Sequence, residues 1–155
     1  MTQTIDTRLA ELGITLPTPA APVASYVPAV EAHGMLHISG QISFAEDGSL
    51  IKGRLGEDVD LDAGIVAARR CGIMVLAQIK AALGSLDRVE RIVKLGVFVN
   101  SAGSFTDQPK VANGASELMN DVFGEAGRHA RSAVGVAVLP LGVAVEVDAI
   151  VAIRP

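Results

Sequence analysis

Arg131-Ser132-Ala133-Val134-Gly135-Val136-Ala137-Val138, then Leu139-Pro140-Leu141-Gly142, then Val143-Ala144-Val145-Glu146-Val147-Asp148-Ala149-Ile150-Val151-Ala152-Ile153 reads as two strands joined by a turn. Alternation along a strand sends side chains to opposite faces. In the second strand Val143, Val145, Val147, Ala149, Val151 and Ile153 share one face, and Glu146 and Asp148 lie on the other. In the first, Val134, Val136 and Val138 form the apolar row, leaving Arg131, Ala133, Gly135 and Ala137 opposite. A turn centred between Pro140 and Leu141 aligns the two apolar rows. Arg131 is then expected to share a face with Glu146 and Asp148.

The rest of the chain supplies partners for these strands. Tyr26 to Ala32 and Met35 to Ile42 read as strands joined at His33-Gly34, and Val89 to Val99 as another. On these strands His37, Ser39 and Gln41 are expected on the more polar face. Val89, Val93, Leu95, Val97 and Val99 are expected on the oily one, opposite Lys94, Gly96 and Phe98. Asp60 to Leu83 is the strongest helix: Asp60 can cap it, Gly84 ends it, and Ile65, Ala68, Gly72, Val75, Ile79 and Leu83 recur at helical spacing. A second helix covers Val111 to Phe123 after a loop from Ser101 to Lys110. Asp6 to Leu12 is a short helix closed by Gly13, followed by a Pro-rich connector through Pro22. The chain therefore divides into an N-terminal helix and connector (residues 1–22) and a single domain (residues 23–155). The order ββ, α, β, α, ββ predicts an α+β fold, a two-layer α/β sandwich with two main helices on one sheet.

Composition narrows the function. Of 155 residues half are hydrophobic and 19% charged, so the chain can bury a core. A net charge of −4 and scarce aromatics (Phe and Tyr total five, with no Trp) argue against nucleic acid as a partner. The uncharged stretch Leu12 to Val30 carries Pro17, Pro19, Pro22 and Pro28, which a membrane helix does not tolerate, so no membrane association is expected. One cysteine, Cys71, mid-helix and apolar in setting, reads as an inert core thiol in a cytoplasmic protein. His33 and His37, four apart on a strand, are too far apart for one ion. No G-x-S-x-G elbow or phosphate loop occurs, and Gly124-Glu125-Ala126-Gly127 is explained by a helix-ending turn. No metal or organic cofactor is expected. The second sheet face, expected to be lined by Gly and Ala around a few polar groups, reads as an oligomer interface holding a polar site; an ordinary wet face with scattered ion pairs is the alternative.

Four segments carry a family resemblance: Ser25-Tyr26-Val27-Pro28-Ala29-Val30; Leu36-His37-Ile38-Ser39-Gly40-Gln41-Ile42; Ile92-Val93-Lys94-Leu95-Gly96-Val97-Phe98-Val99; and Ala130-Arg131-Ser132-Ala133 through Leu139-Pro140 to Glu146-Val147-Asp148-Ala149-Ile150. In combination and order they resemble the Rid family, also called YjgF-like and once described as L-PSP endoribonucleases. The resemblance implies a chorismate-mutase-like fold with one mixed sheet, a homotrimer, and clefts between subunits. It implies a 2-enamine/2-imine deaminase, hydrolysing reactive imino acids to 2-oxo acids and ammonia. Carried over by motif, Arg131 pairs with the substrate carboxylate, the backbone of Ala133 helps to hold substrate, and Glu146 positions or activates water. Ser39 and Tyr26 match other pocket positions, and Asn113 matches more loosely because the loop before it is longer. Ala133 stands where such members often carry cysteine, and Arg128-His129 replaces a shorter apolar lead-in; the extra N-terminal helix and the longer loop around Ser101 to Lys110 resemble a divergent branch.

This chemistry suits the residues. A guanidinium offers a planar fork matched to a carboxylate, and a glutamate can take a proton from attacking water. Three alternatives stand beside it. Arg131 is merely an ion-pair partner of Glu146 or Asp148; the protein is a small-carboxylate-binding or regulatory trimer without turnover; or it is an endoribonuclease, which its charge disfavours.

Overall fold

The computed structural model describes residues 2–21 and 23–155; the expected end of the connector at Pro22 lies outside the described residues. The elements are α1 (Ile5–Glu11), β1 (Ala29–Ala32), β2 (Met35–Ile42), α2 (Leu61–Leu83), β3 (Val89–Asn100), α3 (Gln108–Phe123), β4 (Ala130–Val136) and β5 (Val145–Ile153). They form an α+β fold: helices on one side of a five-stranded mixed sheet of order β1-β2-β5-β3-β4.

Local signals placed most boundaries. Asp60 accepts from the Ala63 amide at the start of α2, and Gly84 closes it in the left-handed conformation. His33 and Gly34 both have positive φ, the twist a two-residue hairpin turn requires. Two elements differ from expectation through proline. α3 begins at Gln108 because Pro109 is tolerated in a first helical turn, where its missing N–H has no partner to lose. β1 begins only at Ala29, because Pro28 has no N–H to donate; its carbonyl accepts from the Ser39 amide at 2.9 Å.

Pairing corrects the hairpin expected for the last two strands. β5 does not pair with β4; it runs antiparallel between β2 and β3, while β4 lies parallel to β3 at the sheet edge. A parallel neighbour needs a crossover, which α3 provides.

The faces also need correction. On β5 the expected alternation holds: Val145, Val147 and Val151 are fully buried beneath the helices and Glu146 and Asp148 point away. On β4 it is reversed. Arg131 pairs with Leu95, a core residue, so Arg131, Ala133 and Gly135 face the helix side, and Ala133 packs against the core. Val134 pairs with Phe98, which pairs with Glu146, so these three share the outer face; Val134 is 46% exposed.

Irregularities, one in β2 and two in β3, shift parity again. Ile38 pairs with Ala149 but Gln41 with Val147, leaving Ser39 and Gly40 opposite Asp148 alone. One extra residue in a strand turns everything beyond it to the other face. Gln41 therefore turns inward, where the Gln78 amide donates to it at 3.3 Å, instead of sharing a face with His37. Two such shifts in β3, before Arg91 and again before Lys94, bury Ile92, leave Val93 half-buried and return Leu95, Val97 and Val99 to the core face.

The core lies between the sheet and α2 with α3. The helices touch closely through small residues: a Cβ on Gly114 would collide with the Ile65 carbonyl, and one on Gly72 would lie 2.8 Å from Leu118. α1 packs on this layer through buried Leu9 and is tied down by Lys80–Asp6 at 2.9 Å and by Arg8 Nε donating to the Asp121 carbonyl. Among the described residues no helix covers the outer face of the sheet.

Candidate functional site

Arg131 is the second residue of β4, with its side chain directed over α3. Its Nη1 donates to Asn113 Oδ1 at 2.8 Å and Ser116 Oγ at 3.1 Å. Asn113 and Ser116 are three apart on α3, so one helix face presents both acceptors. Ser116 Oγ also lies 2.8 Å from His129 Nε2, and His129 Nδ1 lies 2.6 Å from the Gly127 carbonyl. A carbonyl only accepts, so Nδ1 carries a hydrogen. In the neutral ring Nε2 then accepts the Ser116 hydroxyl proton, leaving the Ser116 oxygen to receive Arg131. The hydrogen bonds run in one direction from Arg131 to the Gly127 carbonyl.

These residues line a cleft of about 220 Å³ formed by Ser116, Asn120, Arg128, His129 and Arg131. Among the described residues Arg131 has no carboxylate within ion-pair distance. The reason is the reversed face of β4. Glu146 and Asp148 lie on the other side of the sheet with β3 intervening. Strand spacing and rise put the Arg131 and Glu146 backbones roughly 14 Å apart. The expected sharing of one face, and the intrachain ion pair it would allow, are both overturned.

The other expected residues gather on the outer face. A Cβ on Gly40 would sit 2.6 Å from Glu146 Oε1, so the glutamate lies across Gly40, and Asp148 lies likewise across Gly96. Partial burial pushes the Glu146 carboxyl above its ordinary value, and the nearby Asp148 charge adds to the shift. Ser39 Oγ donates to the Pro28 carbonyl at 3.2 Å, which pins the segment carrying exposed Tyr26 beside β2. The structure thus brings Arg131 to Asn113, with Ala133 next along the same face of β4, and Glu146 to the neighbourhood of Gly40 and Ser39. It does not bring the two groups together within one chain.

Ser116 was missed, and Arg128 and His129 were noted only as a departure from the family pattern. Three basic side chains within four residues were the available signal; Ser116 offered none, because only the packing of α3 against β4 joins it to them. Cys71 is fully buried, its thiol bonded to the Val145 carbonyl at 3.3 Å, and burial, with Glu146 nearby, pushes its pKa well up.

A family model described as "YjgF/chorismate mutase-like, putative endoribonuclease" matches residues 6–151. The chain belongs to the YjgF/chorismate-mutase-like family. Protein TCP17 of Trypanosoma cruzi is 56% identical to this YjgF-like chain over 144 residues, covering 92% of it and 90% of the relative. A crystal structure of a protein of unknown function from Agrobacterium tumefaciens superposes with a TM-score of 0.90 at 45% identity, covering 97% of this chain and 94% of that one. RidA from the Antarctic bacterium Psychrobacter superposes with a TM-score of 0.60 at 31% identity, covering 88% of this chain and 94% of that one. The YjgF-like fold is the mixed sheet and helix layer described above.

Proposed function

We propose that this protein is a cytoplasmic homotrimer that hydrolyses small 2-imino acids, and their 2-enamino tautomers, to 2-oxo acids and ammonia at sites between subunits. The observation that carries this reading is a guanidinium held in place by neutral acceptors, with no carboxylate beside it among the described residues. A fixed cation without an anionic partner favours a ligand carboxylate, and the Arg131 fork suits one. Membership of a family that includes RidA supports the same chemistry.

The two residue groups lie on opposite faces, so one small substrate reaches both only if two copies contribute. β4 is a sheet edge, and the outer face, with Phe98, Val134 and Glu146, has no covering element among the described residues. In this arrangement the edge of one copy, carrying Arg131, abuts the outer face of the next, carrying Glu146, Ser39 and Tyr26. The Ala133 backbone and Asn113 then border the carboxylate.

The reaction needs little beyond placement. Water adds to the carbon of the protonated imine, Glu146 takes a proton from that water, and the C=N bond becomes a C–N single bond beside a new C–OH. Glu146 then passes its proton to the nitrogen, the hydroxyl proton returns to Glu146 as the C=O bond forms, and the C–N bond breaks to give the 2-oxo acid and ammonia. A carboxylate whose pKa is raised is a better proton acceptor at neutral pH than an ordinary one.

The test measures ammonia release from imino acids freshly generated by an amino-acid oxidase, with mass by light scattering. The expected results are acceleration over the spontaneous rate, a mass near three times 16.0 kDa, and a slowing of ~10²–10⁴-fold in Glu146→Gln. A wild type that binds 2-oxo acids without accelerating hydrolysis would establish the binding-only trimer instead, and a stable monomer would overturn the shared site.

A further inference from the structure

The cleft beside Arg131 holds more positive charge than one carboxylate uses. Its lining comprises Arg128, His129, Arg131, Ser116 and Asn120, with no carboxylate, in a chain whose net charge is −4. Arg128 is placed by its backbone: its carbonyl accepts from Arg91 Nε at 3.2 Å and Nη2 at 2.9 Å. Its side chain is left largely uncommitted. The Glu125 carboxylate is 3.9 Å away, at the limit of an ion pair, and both side chains are more than 70% exposed. Such a surface pair contributes little and is easily exchanged for a better anion. Between the two arginines, His129 is fixed at both ring nitrogens, and Arg128 is held at its backbone, so its free side chain can swing to meet a ligand seated on Arg131.

We propose that this cleft binds ligands with two anionic groups, Arg131 taking the 2-carboxylate and Arg128 a second carboxylate on the side chain, so that dicarboxylic imino acids are the preferred substrates. This rests on the reading of Arg131 as the carboxylate anchor. The cleft, of about 220 Å³ and open to solvent, admits a diacid of four or five carbons. A second carboxylate placed between Arg128 and Arg131 meets no fixed negative charge on the cleft wall.

The test is calorimetric titration of pyruvate and 2-oxoglutarate into the assembled wild type, Arg128→Ala, Arg128→Lys and Arg131→Ala. 2-Oxoglutarate should bind at least about tenfold more tightly than pyruvate to wild type, as expected for one added charge-assisted contact. Arg128→Ala should remove that preference, weakening 2-oxoglutarate far more than pyruvate, and Arg128→Lys should restore part of it. Because the Arg128 side chain is more than 70% exposed in the single chain, the two Arg128 variants are expected to keep the wild-type circular dichroism, and light scattering on each sample checks the mass. Equal binding of the two acids by wild type, with both lost in Arg131→Ala, would overturn the diacid preference and leave the Arg131 anchor standing. A preference that persists in Arg128→Ala would overturn the assignment to Arg128. Binding of neither acid to wild type would overturn the anchor and this inference together.

Discussion

Arg131→Ala distinguishes a ligand anchor from a structural residue, because the structure gives the guanidinium little to do for folding. Among the described residues of one subunit it makes two hydrogen bonds from one nitrogen, to Asn113 and Ser116, and no ion pair. A hydrogen bond is worth a net ~0.5–1.5 kcal/mol, and most of that is lost only where a partner is left dry. Asn113 is exposed, so its oxygen regains water, and Ser116 keeps His129. The variant should therefore lose at most about 1 kcal/mol of stability, a fall in Tm of about 2–4 °C for a chain of this length. Ligand binding should fall much further. A carboxylate held by a guanidinium is worth ~1.5–3 kcal/mol, so removal weakens binding about 10- to 150-fold. The assay is calorimetric titration of pyruvate into wild type and variant, alongside melting temperature and light scattering on the same samples. A folded, assembled Arg131→Ala that binds pyruvate and releases ammonia like wild type would refute the site assignment. A large drop in Tm with dissociation would show instead that Arg131 holds the assembly.

Other expectations follow from single contacts. Glu146 has its pKa raised above 4.5 by burial and by Asp148, so the folded chain holds that proton more tightly than the unfolded one. The cost of ionising it is absent below about pH 4.5 and grows as pH rises through the folded value. Glu146→Gln should accordingly be the more stable form at pH 7 and lose that advantage at pH 4, read by urea denaturation of the dilute, dissociated chain; an advantage independent of pH would contradict this. Gly114→Ala drives a methyl into the Ile65 carbonyl and should cost ~1–3 kcal/mol of stability, since backbone cannot swing aside; calorimetric melting checks it, and an unchanged Tm would mean that the two helices separate freely. Cys71 should resist iodoacetamide in the native protein and react fully in denaturant, by mass spectrometry, because its thiol is fully buried and its pKa raised.

What the sequence determined by itself is what is encoded over a few neighbouring residues. Asp60 and Gly84 set the ends of α2, His33-Gly34 closes the first hairpin, and Val145 to Ile153 alternate without interruption. Capping, positive φ and a period of two are local properties, and they suffice for the α+β class and for the inward face of β5. The family motifs singled out Arg131 and Glu146, but only the tertiary structure decided how they stand. β5 inserts between β2 and β3, leaving β4 at the edge, a choice made by hydrogen-bond partners distant in the chain. The extra residue at Ser39-Gly40 and the shift near Arg91 reverse the faces of Gln41 and Val93, because alternation counts only while the ladder is regular. The apolar row of β4 pointed to the wrong face for a related reason. α3 lies over the other side of that strand, where Asn113 and Ser116 meet the Arg131 guanidinium and leave Val134 outside. Periodicity says which side chains travel together; packing against elements elsewhere in the chain says which way they face.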